Sequence, residues 1–104
     1  MALCKENTDI AYLLGRALAV IEKAEKNLNN GDVYVVERKM ATAGTDIGAF
    51  YGKLHAQFAR GLNAKLSATL AEIMDKVPSD GFPSHLSLEQ LSMMMAGYYH
   101  QKVV

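Results

Sequence analysis

The side chains able to do chemistry in this sequence are few, and their spacing sorts them. The histidines are His55, His85 and His100, and no two have the H-x-x-x-H spacing that sets paired metal ligands on one helix face. Cys4 is the sole cysteine, which excludes an intramolecular disulfide and a cysteine-based zinc site. There is no G-x-x-x-x-G-K loop to cradle a phosphate and no G-x-S-x-G elbow to present a nucleophile. Asp75 and Asp80 flank a loop and read as solvated carboxylates, and His85 beside Pro83 reads as a residue that orders that loop. The expectation is a chain with no catalytic residue, no metal and no cofactor.

The basic residues carry a different chemistry. The formal net charge is zero, from 11 Lys+Arg and 11 Asp+Glu, which argues against a free-standing basic nucleic-acid binder. The balance is uneven along the chain. Residues 33–70 hold five bases (Arg38, Lys39, Lys53, Arg60 and Lys65) against two acids, a net of +3, and the remainder is −3. Lys53, Gln57 and Arg60 form one polar stripe at helical spacing, and Tyr12, Arg16 and Lys23 share the face opposite the apolar stripe of the first helix. Arg and Lys in such stripes suit a phosphate backbone, where they displace counterions. The plain alternative is an ordinary solvated surface, with Glu22 and Lys26 as an i,i+4 ion pair.

Helices must position these groups. Ile10, Leu13, Leu14, Ala17, Ile21, Ala24 and Leu28 trace one face at 100° per residue. Asn7 or Thr8 is the expected cap, and Asn29-Asn30-Gly31 the stop. A second helix is expected from an Asp32 cap to about Ala43, although Val33-Tyr34-Val35-Val36 has local strand propensity. A third follows a Thr45/Asp46 cap, with Ile47, Phe50, Tyr51, Leu54, Phe58 and Leu62 in one arc. Leu66, Leu70, Ile73 and Val77 form an arc rotated from it, which predicts a break over residues 61–64 with Asn63 as the next cap. Residues 78–83 punctuate the chain, and Ser87 with Gln90 fits a capping box opening the last helix. In Met93-Met94-Met95 successive residues cannot all face inward, so the run reads as core plus an exposed neighbour. The fold expected is all-α: a single domain over residues 1–104, built as a small bundle of four to five short helices. No apolar run reaches transmembrane length and Met1 to Asp9 lacks a secretory stretch, so a cytoplasmic location is expected.

Two segments carry a resemblance. The first is Tyr12-Leu13-Leu14-Gly15-Arg16, continuing through Ala17 to Lys23. The second is Gly97-Tyr98-Tyr99-His100-Gln101-Lys102, introduced by Phe82-Pro83 and Leu86-Ser87-Leu88-Glu89-Gln90. In this order and spacing they resemble the C-terminal region of the type I-C CRISPR Cascade large subunit. In the middle, Arg38 matches the family pattern and Lys39 does not, and Thr45-Asp46 stands where the family has a proline-containing turn. That family makes a separate small subunit from an internal start, and this chain, opening on Met1, looks like that product. The resemblance implies a non-catalytic helical subunit, present in several copies, that braces the crRNA–protein filament beside the backbone and large subunits. It implies binding of the displaced non-target DNA strand during R-loop formation. Arg16, Lys23, Arg38, Lys39, Lys53, Arg60 and Lys65 are the expected phosphate contacts. Tyr98, Tyr99, His100 and Gln101 are expected to pack or to meet a neighbouring subunit. The alternative is a scaffolding module that touches no nucleic acid.

Overall fold

A computed structural model describes residues 5–29 and 35–104. Its longest element, α1 (Ile10–Leu28), is the axis of the molecule. Asp9 caps it, its carboxylate accepting from the N–H groups of Ala11 (2.9 Å) and Tyr12 (3.2 Å). Asn7 instead accepts from the Asp9 N–H at 2.9 Å. The cap is thus the acid beside the two residues expected, where negative charge meets the positive end of the helix dipole. At the far end Asn29 has φ −112°, so the helix stops without a left-handed residue at that position. Asn30, Gly31, the Asp32 cap and Cys4 lie outside the described residues.

The helix α1 is not a surface helix with one wet face. Every residue from Ala11 to Glu22 is buried, Tyr12 and Arg16 included. The face expected to carry Tyr12, Arg16 and Lys23 to solvent is therefore covered, and only Lys23 of the three reaches partial exposure. A helix enclosed on all sides has to be apolar nearly all round. Between Ile10 and Ile21 the only charged residue is Arg16.

Its main partner is α5 (Leu88–Lys102), capped by the expected box, with Ser87 Oγ accepting from Gln90 N–H and the Gln90 side chain accepting from Ser87 N–H. The two backbones meet at a glycine on each side. A Cβ on Gly15 would lie 1.9 Å from the Met94 carbonyl oxygen, and one on Gly97 would lie 2.1 Å from that of Tyr12. The Met run divides as its spacing requires, with Met94 fully buried and Met93 38% exposed.

The remaining elements wrap the same core. Helix α2 (Val35–Ala43) buries Val36 and Met40. At Gly44, φ +53°, the chain turns into a 3-10 segment, Gly44–Phe50, which leads into α3 (Tyr51–Phe58). Thr45 and Asp46 do not cap α3, because both lie inside the 3-10 segment and α3 begins only at Tyr51, after Phe50 and without a side-chain cap; they hold the loop before α5 instead. The Thr45 carbonyl accepts from Leu86 N–H at 2.7 Å and the Asp46 carboxylate meets His85 Nδ1 at 2.7 Å. His85 thus orders that loop. A short 3-10 turn, Ala59–Gly61, follows α3, and Leu62 is extended. Asn63 Oδ1 then accepts from Leu66 N–H at 2.8 Å and caps α4 (Ala64–Met74). The break falls where the two apolar arcs lose phase. Leu54, Phe58, Leu70 and Ile73 all enter the core. No strand occurs among the described residues, and the all-α bundle is as expected, with five α-helices.

Candidate nucleic-acid interface

The two segments that carry the resemblance lock onto each other. Tyr12 OH lies 2.8 Å from His100 Nδ1, and Arg16 Nε donates to Gln101 Oε1 at 2.9 Å. One turn further along, Tyr98 OH donates to the buried Glu22 carboxylate. Lys102 Nζ completes that cluster, 3.2 Å from Glu22 Oε1 and 3.2 Å from Tyr98 OH. Burial, and after it the Glu22 carboxylate, hold the Tyr98 hydroxyl protonated well above the ordinary tyrosine range. Tyr98, His100 and Gln101 each have a side-chain partner on α1. Tyr99 differs, standing 49% exposed.

Arg16 is removed from the nucleic-acid set by this geometry. Its side chain is fully buried, its nearest carboxylate oxygen is Glu72 Oε1 at 4.0 Å, and its second terminal nitrogen has no hydrogen-bond partner among the described residues. A guanidinium in that position cannot meet a phosphate outside the bundle.

Three lysines do converge. Lys23 and Lys26, from the end of α1, and Lys65, from the first turn of α4, line one cleft of about 380 Å³. Asn27 and Asn63 sit beside them with Thr69 and Gln101, over Val20, Leu66 and Val104, and no Asp or Glu side chain is among the described lining residues. Lys23 Nζ donates to the main-chain oxygen of Val104 at 3.1 Å. Lys26 is the contact that sequence reasoning missed by assigning it to Glu22. In the fold Glu22 turns to Tyr98 and Lys102, and no carboxylate among the described residues pairs with Lys26. Local spacing carries no signal for this, because the partners that draw Glu22 away lie on α5, 76 and 80 residues further along the chain.

The other basic candidates are spread over the surface. Lys53 and Arg60 are exposed along α3 and the turn after it, with Gln57 exposed between them. Arg38 is exposed on α2. Lys39 is half-buried, its ammonium 4.5 Å from the centre of the Phe50 ring. Among the described residues no group of three or more His, Cys, Asp and Glu could hold a metal, and no helix is long and apolar enough to cross a membrane.

Residues 1–104 match the family described as CRISPR-associated protein (Cas_Csd1). The chain belongs to this CRISPR-associated family. No curated protein matches it.

The family member has a second surface feature. A groove of about 650 Å³ runs between α2 and α5, floored by Met40, Leu91, Met95 and Tyr98 and edged by Glu37, Arg38 and Tyr99. Leu88, 76% exposed, stands at the start of the same helix. This apolar character separates it from the lysine cleft, and it leaves Arg38 beside a hydrophobic surface rather than within the basic cluster.

Proposed function

We propose that this chain is the non-catalytic small subunit of a type I-C CRISPR Cascade effector complex, acting in the cytoplasm to brace the crRNA–protein filament and guide the displaced non-target DNA strand. The observation that carries the reading is the cleft where Lys23, Lys26 and Lys65 converge with no Asp or Glu side chain among the described lining residues, in a chain of a CRISPR-associated family. Guide pairing supplies sequence specificity in such complexes, so the subunit needs only sequence-independent contacts. R-loop formation is near balance, and a few phosphate contacts per copy can tip it. Lys53, Arg60 and Arg38 are exposed, and in this reading they add phosphate contacts outside the cleft where copies are arrayed along the filament. The test is co-purification of the tagged chain with a crRNA-containing particle, followed by R-loop formation with Lys23→Glu/Lys65→Glu. The reading predicts co-purification and a loss of R-loop stability at unchanged assembly. A chain that never enters the particle, or a charge reversal without effect on the R-loop, contradicts it.

A second reading has its own support in the α2–α5 groove. A purely scaffolding subunit would seat a neighbour there and ignore the lysine cleft. Tyr99→Glu would then abolish entry into the particle, while Lys23→Glu/Lys65→Glu would leave both assembly and R-loop formation intact.

A further inference from the structure

Resting on that reading, we infer that the Lys23–Lys26–Lys65 cleft takes the sugar-phosphate backbone of a single strand without contacting its bases. The described lining contains three ammonium groups and three aliphatic side chains, Val20, Leu66 and Val104, but no aromatic ring. Stacking of unpaired bases needs a π face, and none among the described residues lines this cleft. Tyr99, an exposed aromatic side chain among the described residues, belongs to the separate groove between α2 and α5.

Base edges are read by paired donors and acceptors, as when an amide side chain bonds adenine bidentately. The cleft holds three amides that could attempt this, Asn27, Asn63 and Gln101, and each is already committed to the fold. Asn27 Nδ2 donates to the Gly61 carbonyl at 2.9 Å, Asn63 Oδ1 accepts from Leu66 N–H at 2.8 Å, and Gln101 Oε1 accepts from Arg16 Nε at 2.9 Å. None keeps both halves of its amide for a base. Lysine, by contrast, meets phosphate as a point charge without demanding a planar partner. The cleft is therefore built to hold charge and to ignore sequence and base alike. Lys26 joins Lys23 and Lys65 as a third contact.

The experiment compares two fluorescein-labelled oligomers of equal length at low salt, oligo(dT) and an abasic deoxyribose-phosphate chain, by anisotropy with the full chain. Three lysines engaging up to three phosphates predict a slope of log K against log salt of about −2, from about −0.7 per phosphate on a single strand. Affinity should then fall about 16-fold between 50 and 200 mM salt. The inference predicts equal affinity for the two oligomers within about twofold, and a slope shallower by about 0.7 in Lys26→Ala. Binding of oligo(dT) at least about tenfold tighter than the abasic chain would overturn the backbone-only inference and leave the proposed function standing. Absence of binding to both, or oligo(dT) binding unchanged in the folded Lys23→Glu/Lys26→Glu/Lys65→Glu variant, would overturn the cleft as a nucleic-acid site and the proposed function with it.

Discussion

Replacing Gly15 by alanine should destabilise this protein, although the same change in an open helix stabilises. Glycine in a helix interior costs about 1 kcal/mol relative to alanine. Gly15→Ala gains that amount and then meets the α5 backbone, with its Cβ 1.9 Å from the Met94 carbonyl oxygen. Ordinary contact begins at 3.4 Å, so α1 and α5 must part locally by about 1.5 Å. The obstacle is backbone within a helix and cannot rotate away. Overpacking a tight core costs about 1–3 kcal/mol and sometimes more, and this crossing also holds the Tyr12–His100 and Arg16–Gln101 contacts. Taking the upper end, the net loss is about 2 kcal/mol, or a Tm lower by about 8–16 °C for a domain of this size. Gly97→Ala, 2.1 Å from the Tyr12 carbonyl, should behave alike. Gly52, in the first turn of α3, is the control. A Cβ there meets nothing within 4 Å, so Gly52→Ala should raise Tm by a few degrees. Thermal unfolding of the three variants by circular dichroism reads the result. A Gly15→Ala protein as stable as Gly52→Ala would refute the close crossing of α1 and α5.

Alkaline pH should weaken the fold. Tyr51 is pushed up to about 12 by burial and Tyr98 higher still, by burial and Glu22. The unfolded chain releases these protons near pH 10 while the folded chain keeps them, so stability is intact below pH 10 and falls as pH rises above it, by about 2 kcal/mol for Tyr51 by pH 12. Tyr51→Phe should flatten that loss in urea titrations and hold or raise stability at pH 7 by about 1 kcal/mol, since its buried hydroxyl has no partner among the described residues. Glu25→Ala should cost about 2–3 kcal/mol, because this fully buried carboxylate accepts from Val35 N–H at 2.7 Å and Val36 N–H at 3.1 Å and so caps α2 from α1; a midpoint shift worth under about 0.5 kcal/mol would contradict it. Arg16→Met should leave single-strand affinity unchanged while Lys26→Ala lowers it, and a drop with Arg16→Met in a folded protein would return Arg16 to the binding set.

Local signals in the sequence located the helices well. Asn63, Ser87 and Gln90 act within their own turns, so their capping roles are legible from spacing, and the break near Leu62 follows from two apolar arcs out of phase. Positions decided by tertiary partners were less legible. Asp46 looks like a cap until His85 claims its carboxylate. Arg16 looks solvent-facing until α5 covers it, because the periodicity of α1 cannot say whether its weaker face is met by water or by a second helix. Lys26 looks paired until Glu22 is drawn to Tyr98 and Lys102, 76 and 80 residues away in the chain. The basic cleft likewise joins two lysines of α1 to one of α4, a juxtaposition that no single helical wheel contains. The two segments of family resemblance proved to be one structural unit, with Gly15 and Gly97 setting the approach and the polar pairs fixing the register.

The central claim is that the lysine cleft meets the displaced strand within an effector complex. The direct measurement is photocrosslinking of a non-target strand carrying backbone-attached photoreactive groups, in R-loops formed by the crRNA-containing particle, with the adducts mapped by mass spectrometry. The account predicts adducts on peptides containing Lys23, Lys26 or Lys65, lost in the Lys23→Glu/Lys65→Glu particle. Adducts confined to other subunits, in a particle that contains this chain and forms the R-loop, would contradict it.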